Sequence, residues 1–181
     1  AHKAGPTEIF IEVEGEEIPA FDGSSAYFVE AIDAVGLEQQ EAPRRYIKIL
    51  KPIKVEQGRA SAELLPYDAG FRVEVEIEFD HTAIGRQRFA GMITPEVFRD
   101  DLSRARTFGF MRDVSKLWSA GLALGASLDN TICLADDRVL NPEGLRYADE
   151  FVRHKALDAV GDLAMAGLPI LGRYRSVCGG H

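Results

Sequence analysis

Asp149-Glu-Phe-Val-Arg-His-Lys-Ala-Leu-Asp-Ala-Val-Gly-Asp162 is the stretch from which the rest of the chain is read. At helical period, Glu150, His154, Asp158 and Asp162 fall at successive i, i+4 positions, stacked on one face. Phe151, Val152, Leu157, Val160, Leu163 and Met165 point in nearly every direction around the axis, so the pattern predicts a buried helix. Charge on a buried helix must be paired, hydrogen-bonded or metal-bound, because unpaired burial neutralises the group or costs several kcal/mol. Two readings stand here. His154 pairs with Asp158 or Asp162 and nothing more, or His154 and Asp158 share a cation, since imidazole nitrogen and carboxylate oxygen both suit Zn²⁺. Gly161 lies on the side of His154. Mid-helix glycine costs roughly 1 kcal/mol against alanine, so a packing reason is expected, such as room for a metal or substrate.

The 181 residues are 46% hydrophobic, enough for one large or two small packed domains. The net charge of −8 excludes a nucleic-acid binder, which needs a basic footprint. Cys133 and Cys178 follow no C-x-x-C pattern; Cys133, in an apolar run, is expected to be a buried thiol, and nothing requires an oxidising compartment. No apolar run is long enough for a membrane span and no signal-peptide pattern opens the chain, so a cytoplasmic monomer is the default expectation.

Along the chain, Ile9 to Glu14 alternates as a strand. Ser24 is placed to cap a helix with Phe28, Ile32 and Val35 as its stripe and Gly36 as its stop. A polar link from Glu38 to Arg45 marks a domain boundary, giving 1–42 as the end of a first domain and 43–181 as a second. Strands follow at Tyr46 to Leu50, Ile53 to Val55, Ala60 to Leu65, Phe71 to Phe79 and Gln87 to Ile93. In the fourth, Val73, Val75 and Ile77 alternate with Arg72, Glu74, Glu76 and Glu78, which predicts one face on a core and one wet face. Thr94-Pro95 opens a helix carrying Val97, Phe98 and Leu102. A β-α-β insertion is expected at about 108–140, with an amphipathic helix capped by Asp113, flanked by strands at Leu122 to Leu124 and Asn130 to Ala135. The helix of His154 ends at Gly167, and Ile170 to Ser176 is the last strand.

Two more residues have chemical potential. His181 follows Gly179-Gly180, and is either an exposed loop residue or a ring brought into a cleft. Thr107 either closes a helix end or offers a hydroxyl to a developing oxyanion.

His154-Lys-Ala-Leu-Asp158 within its helix resembles the zinc-ligand helix of the UDP-3-O-acyl-N-acetylglucosamine deacetylase family, which acts in lipid A biosynthesis in Gram-negative bacteria. The likeness continues in Ser103-Arg-Ala-Arg-Thr-Phe-Gly-Phe-Met111, in Glu17-Ile-Pro with Asp22-Gly-Ser24, in Phe79-Asp-His-Thr-Ala-Ile84 and in Gly180-His181, in family order. The resemblance implies an α+β fold of two β-α-α-β domains, helices packed between two sheets, the first domain only partly present. It implies Zn²⁺ with His154 and Asp158 as two ligands and an open position for water. It implies Thr107 as oxyanion donor, His181 as catalytic histidine and Asp162 as the carboxylate that orients it. Lys155 resembles the lysine beside the charged head group of the substrate, UDP-3-O-acyl-N-acetylglucosamine. Met111, Val114, Ala123, Leu128 and Cys133 resemble the wall of the acyl-chain passage, and Phe79 a residue packing on the sugar.

One departure accompanies the likeness. The family's H-x-x-E-H-like stretch, source of the third ligand and the general base, has no counterpart here. Its place falls just before Ala1, so the chain is expected to be a fragment that binds Zn²⁺ more weakly than the full-length protein and is inactive alone. The alternative is a non-catalytic or degenerate β-α-α-β binding domain.

Overall fold

The computed structural model describes residues 9, 11–15 and 17–180. The order of elements is α1 (Ala26–Val35), β1 (Ile47–Lys48), β2 (Ile53–Gln57), β3 (Ala60–Leu65), β4 (Phe71–Glu78), β5 (Arg86–Met92), α2 (Pro95–Val97), β6 (Phe108–Phe110), α3 (Met111–Ser119), β7 (Ile132–Leu134), α4 (Glu150–Ala164) and β8 (Ile170–Val177). The α+β expectation holds.

Five strands form the run β2-β3-β8-β4-β5, with β1 pairing parallel to β8. The last strand lies inside the sheet, antiparallel to β3 and parallel to β4. β4 buries Val73, Val75 and Ile77, as its alternation requires. Those side chains share one core with Phe89, Leu102, Ile132, Leu134, Phe151, Val152 and Ala156. Each large apolar side chain buried there contributes about 1.5–3 kcal/mol. The core therefore clamps the first two turns of α4 against the sheet.

Thr94 caps α2 as expected: its hydroxyl accepts from the Val97 N–H at 3.2 Å, and Pro95 stands at the first helical position. The helix then widens into a π turn, Phe98–Leu102, in which the Ser103 N–H donates to the Phe98 carbonyl at 2.7 Å. Thr94→Ala should cost about 1 kcal/mol by loss of this cap, a Tm decrease of a few degrees in thermal unfolding.

Several expectations are corrected. Ile9 and 11–13 are exposed and carry no strand, because no partner strand runs beside them among the described residues; Phe10 lies outside those residues. Leu122 to Leu124 is not a strand. The β-α-β unit is closed by the parallel pair β6 and β7 alone. Asp113 does not cap α3 but sits in its first turn, after Phe110. Burial of α4 stops at Ala156, and Met165 is 86% exposed. Apolar periodicity states which side chains want cover, not whether a neighbour supplies it. Gly161 is exposed and a Cβ there would meet nothing within 4 Å, so the described residues give it no packing reason.

Candidate metal centre

α4 begins where Glu150, wholly buried, accepts hydrogen bonds from the segment before α3. One turn later His154, 8% exposed, directs its ring between two acceptors. Nδ1 lies 2.9 Å from the Ala105 carbonyl oxygen, and Nε2 lies 3.3 Å from Asp158 Oδ1. A carbonyl can only accept, so Nδ1 carries the proton. In the neutral ring, Nε2 then presents its lone pair beside a carboxylate oxygen. In that form two acceptors face each other, and either a proton on Nε2 or a metal cation between them satisfies both. A histidine whose far nitrogen donates to a backbone carbonyl is the usual outer support of a metal-binding imidazole. The donor chemistry of His154 and Asp158 thus fits Zn²⁺, as two of the three protein ligands a catalytic site requires. No group of three His, Cys, Asp or Glu suited to a metal occurs among the described residues.

Asp158 is held from its other oxygen as well, by Lys155 Nζ at 2.9 Å. Lys155, Asp158, Ala159, Asp162 and Leu163 form the helical wall of a cleft of about 130 Å³. Val75, Tyr174 and Ser176 supply its sheet wall, and Gly179 and Gly180 close over it. The cleft thus joins Lys155, Asp158 and Asp162 to the strand end that leads to His181. His181 itself, like His2, lies outside the described residues.

Thr107 is two residues beyond the Ala105 carbonyl. Its N–H donates to the Gly23 carbonyl and its own carbonyl accepts from Ile132, both at 2.8 Å. It therefore belongs to the start of the β6–β7 pairing, not to a helix end. Gly23 sits at φ +78°, and a Cβ there would collide with the Asn130 carbonyl. Only glycine lets the 22–24 turn press on this segment. Asp22 fastens the same turn through Arg146 at 2.7 Å.

The remaining sequence-predicted residues lie on the β-α-β unit and its support. Phe79 packs edge-on against Phe108, ring centroids 5.7 Å apart, and beside Phe110 at 5.9 Å. Met111, Ala123 and Leu128 are exposed; Val114 and Cys133 are half-buried. Cys133 is half-buried rather than fully buried as expected, and burial pushes its thiol up.

Three residues that hold this region were not singled out from the sequence. His81, 7% exposed, bonds the Ala135 carbonyl through Nε2 and receives the Ala83 N–H on Nδ1 at 3.1 Å. It ties the end of β7 to the loop after β4. Asn141 receives the Cys133 N–H and donates to the Leu128 and Thr131 carbonyls. Arg106 is buried against Glu150. The signal for Arg106 was its adjacency to Thr107, and for His81 its place in the Phe79 to Ile84 stretch; nothing local marks Asn141.

An α+β domain whose core helix aims an imidazole and a carboxylate at one point, beside a lysine and a cleft, defines a candidate metal-site protein. The chain belongs to the UDP-3-O-acyl N-acetylglycosamine deacetylase family (LpxC), whose sequence model matches residues 2–181. It is 57% identical over 178 residues to the UDP-3-O-acyl-N-acetylglucosamine deacetylases of Brucella ovis, Brucella abortus and Brucella melitensis. The match covers 98% of this chain and 62% of each relative. No helix among the described residues is long and apolar enough to cross a membrane.

Proposed function

We propose that this chain supplies much of the active site of a zinc-dependent deacetylase. The enzyme removes the N-acetyl group from UDP-3-O-acyl-N-acetylglucosamine and releases acetate, in lipid A biosynthesis. The observation that carries this reading is His154: its Nδ1–H is spent on the Ala105 carbonyl, while Nε2 faces Asp158 Oδ1 at 3.3 Å. Family membership supports the substrate.

His154 and Asp158 would hold Zn²⁺, which would supply Lewis-acid polarisation of the amide carbonyl and acidification of water; the Ala105 carbonyl accepts the His154 Nδ1–H and keeps that tautomer fixed. Thr107 donates its hydroxyl to the oxygen on which negative charge develops. His181, oriented by Asp162, delivers a proton to the nitrogen of the departing glucosamine. Lys155, next to Asp158 on the cleft wall, offers its ammonium to the anionic head group. Phe79 packs on the sugar. Met111, Val114, Ala123, Leu128 and Cys133 receive the acyl chain, which needs apolar cover and no hydrogen bonds.

The test is acetate release from UDP-3-O-acyl-N-acetylglucosamine by the full-length protein. One acetate per free amine is expected. Activity should be lost on chelation and restored by Zn²⁺ added back. Turnover that persists in metal-free protein would overturn the reading.

A further inference from the structure

The most deeply buried charges of the described residues are Arg106, 2% exposed, and Glu150, fully buried. Glu150 Oε1 accepts from the Arg106 backbone N–H at 3.0 Å and from its Nε at 2.9 Å. Oε2 accepts from Arg106 Nη2 at 3.3 Å and from the Arg146 N–H at 2.6 Å. Arg106 also reaches Glu143 at 2.6 Å and the Gly144 carbonyl at 2.7 Å.

Stability alone is a weak reason for such a pair. An apolar replacement of similar volume is often neutral or stabilising, because desolvation cancels much of the attraction. An apolar pair, however, could not hold the Arg106 N–H. That N–H sits between the Ala105 carbonyl, which fixes the His154 ring, and Thr107. Glu150 stands one turn before His154 on the same helix. One helix face therefore carries both the imidazole and the carboxylate that pins the imidazole's acceptor.

We propose that Arg106 and Glu150 are positioning residues that lock the 105–107 backbone onto α4 and so fix the ring of His154 for metal binding. The inference rests on His154 being a metal-binding side chain, as given above. Burial presses the Arg106 guanidinium down, but hydrogen bonds and charge from Glu150, then Glu143, more than offset it and hold it up.

The test uses the full-length protein, with Zn²⁺ affinity by competition titration, kcat, KM and thermal unfolding measured on each variant. Glu150→Gln keeps the shape but loses the charge and one acceptor oxygen. It should weaken Zn²⁺ binding by about 10–100-fold and lower kcat to a similar degree with KM little changed. Glu143→Gln keeps the shape of an exposed partner that meets Arg106 at Nη1 and also reaches Asn141, and should leave Zn²⁺ affinity and kcat within about twofold, as an exposed ion pair contributes little. If Glu150→Gln fails to fold, Arg106→Lys is read instead. It keeps the charge and the backbone N–H but loses the guanidinium fork, and its Zn²⁺ affinity and kcat should fall in the same direction. A lower Tm with wild-type Zn²⁺ affinity and wild-type kcat per folded molecule would overturn the proposal. His154→Ala is run alongside. If it leaves Zn²⁺ affinity unchanged, the metal reading falls and this inference falls with it. If it weakens Zn²⁺ while Glu150→Gln and Arg106→Lys do not, only this inference falls.

Discussion

His154→Ala in the full-length enzyme should lower acetate release about 1,000-fold while leaving the fold in place. On the proposed reading the imidazole is one of two metal donors from this chain, its Nε2 3.3 Å from Asp158 Oδ1. Metal polarisation supplies several kcal/mol to the transition state, and each 1.36 kcal/mol is tenfold in rate. Loss of about 4 kcal/mol gives the stated factor. The structural cost is smaller, because a ring already 8% exposed and bonded once to a carbonyl leaves a space that water can enter. Near-wild-type kcat in a folded His154→Ala protein would show that the histidine merely pairs with Asp158.

Arg106→Leu should have the largest effect on stability, about 3–5 kcal/mol, the cost of leaving a buried carboxylate without its partner. Glu150 has no exposed surface through which water could replace the guanidinium. Its remaining partners would be two backbone N–H groups, from residue 106 and from Arg146. The double variant Arg106→Leu, Glu150→Met should recover much of that loss, since it removes the stranded charge. Chemical denaturation of wild type, single and double variant reads both numbers. A single variant within 1 kcal/mol of wild type, as roughly expected of a surface ion pair, would contradict the assignment of a desolvated pair.

The sheet was legible because its strands are half-buried and alternate. Val73, Val75 and Ile77 declare a buried face, and their strand lies within a residue of its expected bounds. Thr94-Pro95 was legible because capping is local chemistry. The stacked Glu150, His154 and Asp158 were legible because helical spacing alone brings them together. What escaped depends on contacts between distant segments. The pairing of β8 with both β3 and β4 joins residues more than a hundred positions apart and has no local mark. The Ala105 carbonyl opposite His154 is a backbone atom, which no residue code announces. Arg106 and Glu150 were visible as charges, but only the fold makes them one pair. Ile9 with 11–14, and Leu122 to Leu124, show the reverse failure: apolar runs with strand composition and no partner strand among the described residues.

Whether His154 and Asp158 hold the catalytic metal is read by X-ray absorption at the zinc edge, on full-length protein loaded with one Zn²⁺. The expected first shell contains nitrogen and oxygen only, at about 2.0–2.2 Å, with imidazole scattering that falls by one ring in His154→Ala. A sulfur scatterer at about 2.3 Å, which would implicate Cys133 or Cys178, or an imidazole count unchanged by His154→Ala, would contradict that assignment.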